Sequence, residues 1–434
     1  MKRVSLSPRE NWQQKVQAVG LAFHTLEGGL PYWDESAAYE FSAAEIDTLE
    51  SAGNTLQTMC LAAAQHVIDE KRYAELDIPE AAISAIEWAW EDEPPALYGR
   101  FDLAYNGTAP PKLLEYNADT PTSLLEAAVV QWDWLKALSP ALEAASHSRA
   151  PDQFNSIHDK LIAKWKNVAP YLSKSVYFAG AASPEDQLTL AYLRDTAQQA
   201  GLATLQMYME EIGWNDERQA FVDPNEDQMF SVFKLYPWEI MLQEEFGAHA
   251  LATYQDMRWI EPIWKLLLSN KGILPILWQL FPNHELLLEA HFEGPATTPA
   301  ASRSDSGERR ADTSGWQQVN PNAAPVFSIL PAATHGMRDY VRKPLFSREG
   351  ANVTIVRNGA TIQHKRPLHR PPDHPGANPR SSLRRPSSRP RPLDDRPGVL
   401  RPRYPRIHRP HHGQSQFLRA ALLPPVGPFL LSTA

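Results

Sequence analysis

The placement of proline constrains this chain more than any other feature. Of its 38 prolines, 15 fall between His364 and Ala434, interleaved with Arg and His. Each proline fixes φ and removes a backbone donor, so no regular core strand or helix survives that density. Any folded body must come from the preceding residues, and 364–434 is expected to be a Pro/Arg-rich disordered tail. Residues 365–434 hold 14 Lys/Arg against 3 Asp, a local charge of +11; since the whole chain carries −9, residues 1–364 carry −20. An acidic body raises the local concentration of cations and suits a cationic substrate, although a solvated acidic surface has the same composition. At 434 residues and 43% hydrophobic, the chain can bury a sizeable core, and two lobes are expected.

One cysteine, Cys60, excludes an internal disulfide framework and a Cys-rich zinc site. That usage fits a reducing compartment, and the expected location is cytoplasmic. Met1 to Glu10 is polar and charged with no apolar run behind it, and the longest apolar stretch, Ile273 to Phe281, is interrupted by Pro275 and Gln279. Neither export nor a membrane span is expected.

From Ala43 to about Ile83, apolar residues at three- and four-residue spacings predict helix, with Ile46, Leu49, Leu56, Met59, Cys60 and Ala63 as its core stripe. A second helix is expected after Pro121, with an N-cap from the Thr120–Ser123 cluster. Ser175 to Gly180 reads as a buried strand, Ser183 to Asp186 as a capped helix start, Gln187 to Ala200 as the helix, Gly201 as its stop and Thr204 to Met209 as a second strand. Such units build α/β folds around a parallel sheet, with ligands at the carboxyl ends of the strands. Glu210 and Glu211 lie at that end. Residues 296–332 lack periodicity and read as a disordered insertion.

Polar and apolar residues alternate through Tyr98-Gly-Arg-Phe-Asp-Leu-Ala-Tyr105, and Lys112-Leu-Leu-Glu-Tyr-Asn117 follows an Asn106-Gly107 turn. As a hairpin these strands bring Arg100, Asp102, Glu115 and Asn117 to one face. Two carboxylates and an amide oxygen are hard ligands of the kind magnesium accepts; an exposed polar face on an ordinary hairpin would alternate in the same way.

The strings GRFDLAY, LLEYNADTPTSLLEA, YMEEIGW, FKLYPWE, WIEPIWKLLLSNKGILPILW and YVRKPLFSREGANV occur in this order. Together they resemble the successive landmarks of the glutathionylspermidine synthase-like family of ATP-grasp ligases, in its stand-alone form without an amidase domain. The resemblance implies an α/β fold, a pre-ATP-grasp-like body over 1–295 and an incomplete ATP-grasp fragment over 333–363. It implies magnesium at Asp102, Glu115 and Asn117, and Arg100 on the carboxylate or phosphate being activated. ATP phosphates would fall to Lys271 and Lys343, with Ser347, Glu349 and Gly350 in a phosphate loop. Glu210, Glu211 and Ser123 would contact a glutathione-like peptide and a polyamine; Ser123 is equally explained as a helix cap. The implied chemistry is phosphorylation of a carboxylate by ATP and attack by an amine, with no nucleophilic side chain.

After SREGANV the family should continue with strings resembling PVIGSWVV and GIGIRE. This chain does not, but the genetic code permits GPYTGPPIIQ from 366–375, WMI from 393–395 and GLGIRESTGLITG from Arg401 to Gly413 in a frame shifted by one base. A frameshift near His364 is therefore expected, and with it an impaired ligase. The alternatives are a non-catalytic peptide or polyamine binder and, less favoured, a nucleic-acid binder acting through the basic tail, which has few aromatic residues to stack on bases.

Overall fold

Ser42 opens the longest helix, α1, Ala43–Asp69. Its hydroxyl accepts the Glu45 amide at 3.3 Å while the Glu45 carboxylate accepts the Ser42 amide at 2.8 Å, a reciprocal cap that satisfies two orphan donors. Leu56, Met59, Cys60, Ala63 and Val67 form its buried stripe. The expected continuation to Ile83 does not occur: short 3-10 turns at Arg72–Leu76 and Glu80–Ala82 precede helix α2, Ile83–Asp92. Lys71 and Asp77 hold left-handed backbone, with φ of 54° and 53°, and Pro79 follows, so the helical ladder cannot run through.

The computed structural model describes residues 1–29, 31–145, 152–292, 326–330, 340–346, 353–357 and 360–363. Strands β1, Arg100–Ala104, and β2, Lys112–Asn117, form the antiparallel hairpin. After helix α3, Ile157–Val168, come strand β3, Ser175–Gly180, helix α4, Pro184–Gln199, and strand β4, Ala203–Tyr208. Ser183 caps α4 by accepting the Asp186 amide at 3.1 Å, and Gly201, at φ 94°, turns the chain out of it. With β5, Ser231–Leu235, and β6, Arg258–Ile260, these strands make a four-stranded parallel sheet in the order β6-β5-β3-β4. The α/β class and the strand–helix–strand unit were thus readable from sequence to within about a residue at each boundary.

Two hydrophobic cores meet along β5. Val232 belongs to the first, which takes in α1, α2 and the hairpin's Phe101, Leu113 and Tyr116. Phe233 and Leu235 belong to the second, with Trp165 from α3 and Phe178 from β3. The Trp165 ring lies 5.5 Å from Phe178, tilted against it, and 6.3 Å from Phe233, edge-on, an arrangement aromatic rings favour.

A second sheet is antiparallel and runs in chain order: β7, Glu289–Phe292, β8, Val326–Leu330, β9, Tyr340–Pro344, β10, Thr354–Arg357, and β11, Ala360–Gln363. Strand β8 corrects the sequence reading, which assigned 296–332 wholly to an insertion. Val326-Phe-Ser-Ile-Leu330 is rich in strand-forming residues and pairs with β7 and β9. Two backbone bonds fasten this part of the chain to the body: the Leu113 amide donates to the Leu286 carbonyl at 2.8 Å, and the Lys271 amide to the Leu345 carbonyl at 3.0 Å. The rest of the expected insertion through residue 325, the loop bearing Ser347, Glu349 and Gly350, and the tail 364–434 lie outside the described residues. No helix among the described residues is long and apolar enough to cross a membrane.

Candidate active site

The hairpin register pairs Arg100 with Asn117 and Asp102 with Glu115, and a bulge follows Asp102. Alternation then sends all four side chains to one face, while Phe101 and Tyr116 go to the other, where their rings stack at 4.1 Å. Gly99 makes that stack possible. A Cβ there would meet Tyr116 Cε2 at 2.5 Å. The Tyr116 hydroxyl donates to Gln57 Oε1 of α1 at 2.9 Å, so the apolar face of the hairpin is fixed while the polar face points into the site.

The Arg100 guanidinium forks onto Asp102, 2.7 Å from Nε to Oδ1 and 3.2 Å from the second nitrogen to Oδ2, and also donates to the Thr122 carbonyl at 3.4 Å. Burial pulls Arg100 down, but Asp102 and Glu115 hold it above its ordinary value. Burial pushes the Asp102 carboxyl up; Arg100 opposes the rise and Glu115 adds to it. Glu115 accepts the Asn117 amide at 3.1 Å and pairs with the Lys271 ammonium at 3.0 Å. Burial raises its carboxyl, yet Lys271, Lys343 and the Asn117 bond carry it down to about 2. Lys343 reaches the same place from β9, donating to the Leu114 carbonyl at 3.3 Å. Burial draws Lys343 below its ordinary value, against the pull of Glu115. Six of the residues singled out in the sequence therefore meet: Arg100, Asp102, Glu115, Asn117, Lys271 and Lys343.

The other candidates are placed elsewhere. Ser123 is buried with φ of 68°, and its hydroxyl bonds the Tyr32 phenol, which donates to Glu126 at 2.6 Å. It is part of an internal polar network beside the Thr122 carbonyl that Arg100 touches. Glu210 and Glu211 are exposed on a short turn directly after β4, at the carboxyl edge of the parallel sheet. Glu211 accepts the Tyr208 amide at 2.8 Å, and Glu210 bears electrostatically on Tyr236, which follows β5.

Sequence reasoning missed the buried ion pairs among the described residues, Arg9 with Glu35 at 2.7 Å and two nearer the site. Lys234 meets Asp119 at 2.6 Å, and Lys265 meets Glu261 at 2.5 Å. Glu261 also accepts the Leu97 and Tyr98 amides, which braces the segment entering β1. One signal was present: Lys234 stands inside Ser-Val-Phe-Lys-Leu, an otherwise apolar strand, where a lysine needs a partner.

Among the described residues no group of three or more His, Cys, Asp or Glu gathers in a metal-binding cluster. The hairpin nevertheless fits magnesium, which takes one or two carboxylates and fills its remaining positions with water and phosphate. Asp102 and Glu115 abut closely enough to raise Asp102, a repulsion that a cation at the pair relieves.

By the family its sequence matches and the names its relatives carry, the chain is an ATP-dependent acid–amine ligase. Within that class the chain belongs to the glutathionylspermidine synthase preATP-grasp family, whose model matches residues 3–309. A Haemophilus influenzae protein provisionally described as an acid–amine ligase is 40% identical over 359 residues, covering 81% of this chain and 80% of its own length. The trypanothione synthetase of Crithidia fasciculata is 28% identical over 66% of this chain and 46% of its own. The bifunctional glutathionylspermidine synthetase/amidase of Escherichia coli is 25% identical over 68% of this chain and 51% of its own. The chain thus spans about half the length of the latter two relatives.

Proposed function

We propose that this chain is built to join a peptide carboxyl to a polyamine nitrogen at the expense of ATP, with glutathione-like peptides as donors. The observation that carries the reading is the meeting of Arg100, Asp102, Glu115, Asn117, Lys271 and Lys343, drawn from four separate stretches of sequence. In the reaction the peptide carboxylate takes the terminal phosphoryl group of ATP and releases ADP; the amine then displaces phosphate to leave an amide. Arg100 offers a planar pair of donors matched to the carboxylate or the phosphoryl oxygens. Lys271 and Lys343, both of which lower the Glu115 carboxyl, would offset phosphate charge. Asp102, Glu115 and Asn117 would hold magnesium, which supplies positive charge to the phosphate oxygens when bound. Glu210 and Glu211 suit the ammonium groups of the substrates. Cys60 takes no part, because burial pushes its thiol up and keeps it protonated.

Turnover by this chain is reduced on the same reading, because residues after 364 are Pro/Arg-rich where family strands should complete the nucleotide site. ADP release with magnesium, glutathione and spermidine tests it. Little release by the chain as it stands, and recovery once the shifted frame is restored, supports the ligase. A second reading, a peptide or polyamine binder without turnover, is favoured by the pairing of Arg100 and Lys271 with the two carboxylates. Calorimetric binding of either substrate by the frame-restored protein, with no ADP released, selects that reading.

A further inference from the structure

An ammonium and a carboxylate wholly withdrawn from water sit where the two cores join. Lys234 donates to Asp119 at 2.6 Å and to the Tyr236 carbonyl at 2.9 Å, and its ammonium lies 4.7 Å from the centre of the Trp238 ring. Neither side chain has any exposure. The second Asp119 oxygen accepts the Trp238 amide at 2.9 Å. On its backbone side, Asp119 donates its own amide to Ser269 Oγ at 2.8 Å, and the Ala118 amide shares that oxygen at 3.1 Å.

The contacts join three arms of the site: the hairpin exit at Ala118 and Asp119, the end of β5 at Lys234 to Trp238, and Ser269. Asn117 lies two residues before Asp119, and the Thr122 carbonyl that holds Arg100 lies three after. Lys271 follows Ser269 by two residues, and Tyr236, which feels Glu210, follows Lys234 by two. A buried ion pair adds little stability over well-packed apolar side chains, and burial pushes Asp119 up and Lys234 down. The apolar contacts on either side are non-directional. Directional contacts are what fix one core against the other.

We propose that Asp119 is a positioning residue which, through Lys234 and Ser269, sets the metal and phosphate groups of the hairpin against the substrate edge of the parallel sheet. The proposal rests on the ligase reading and on its metal set, Asp102, Glu115 and Asn117. Without Asp119 the hairpin exit keeps its packing but loses its bonded register to Lys271 and to the sheet.

Manganese, a paramagnetic stand-in for magnesium, tests this on the full chain. Binding is followed by electron paramagnetic resonance, and folding by thermal melts, for the unaltered chain, Asp102→Ala, Asp119→Asn/Lys234→Met and Ser269→Ala. The double variant removes both charges together, so no unpaired ion is left buried. The expected result is manganese binding by the unaltered chain, none by Asp102→Ala, and a melt unchanged within a few degrees for the double variant with about tenfold weaker binding, the scale of outer-shell losses. Ser269→Ala is expected to lose a few-fold. A folded double variant that binds manganese as well as the unaltered chain overturns the positioning role and leaves the ligase reading standing. An unaltered chain that binds no better than Asp102→Ala removes the metal set, and the proposal with it. If the double variant does not fold, a folded Ser269→Ala with undiminished binding overturns the proposal.

Discussion

Asp102 faces Glu115 directly across the hairpin, and the two carboxyls lean on different cations, Asp102 on Arg100 at 2.7 Å and Glu115 on Lys271 at 3.0 Å. Opposed carboxylates on neighbouring strands repel, so each cation lowers the cost of keeping the pair together. The same two cations are those assigned to the substrate and the phosphates. On the proposed reading, ligand arrival is an exchange of partners within this cluster of three cations and two carboxylates.

Replacing Asp102 tests the metal assignment with little disturbance of the core, because its side chain is about a third exposed and leaves no cavity. In the frame-restored protein, Asp102→Ala should lower magnesium-dependent ADP release by at least about 100-fold, beyond the usual effect of outer-shell changes. Its circular dichroism spectrum and melt should match those of the parent. Retention of full activity at millimolar magnesium would remove Asp102 from the ligand set.

The Glu115–Lys271 pair makes a prediction about acid. Glu115 sits at about 2 against an ordinary 4.5, so its pairing adds stability that is fully present above about pH 4.5 and lost as pH falls toward 2. At roughly 1.4 kcal/mol per unit, and with part of the side chain solvent-exposed, the contribution is no more than about 3 kcal/mol. Urea melts at pH 6 and pH 3 should show the gap between the unaltered chain and Lys271→Met narrowing at the lower pH. A gap of equal size at both would mean that the pair does not stabilise the fold.

Cys60 has no exposed surface, and burial holds its thiol protonated. An aromatic disulfide reagent at pH 8 should leave it unmodified for as long as the protein is folded and label it fully in denaturant. Prompt labelling of the native chain would show that α1 opens far more readily than its packing implies.

Gly99→Ala should act on the site from behind. The added methyl group meets the Tyr116 ring at 2.5 Å, so the ring must shift from its stack with Phe101 and strain its bond to Gln57. The expected cost is about 1–3 kcal/mol in a denaturant melt, the usual range for overpacking. An unchanged midpoint would mean that the ring is not held as tightly as its contacts indicate.

What could be read from sequence follows the range of the interaction. The polar face of the hairpin was legible because alternation is local and Asn106-Gly107 marks the turn. The β3-α4-β4 unit was legible because Ser183 and Gly201 are local start and stop signals. The break after α1 carried one local sign, Pro79, which the reading passed over, while the left-handed backbone at Lys71 and Asp77 leaves no periodic trace. Asp119 and Lys234 are 115 residues apart, and nothing near either one specifies the other. Strand β8 was hidden for a related reason: five residues are too few to establish a period, and only their neighbours in β7 and β9 make them a strand.

Those long separations also determine when in the life of the chain the site can exist. Ala118 reaches Ser269 across 151 residues, Tyr98 reaches Lys265 across 167, and Leu114 reaches Lys343 across 229. The hairpin and α4 can form while most of the polypeptide is still being synthesised, but the charged cluster has to wait until β9 has left the ribosome. During that interval Asp102 and Glu115 are already opposed while Lys271 and Lys343 are absent. Until then Arg100, carried on the same hairpin, is the cation at hand for the opposed pair, and dissolved cations ease the rest of the repulsion.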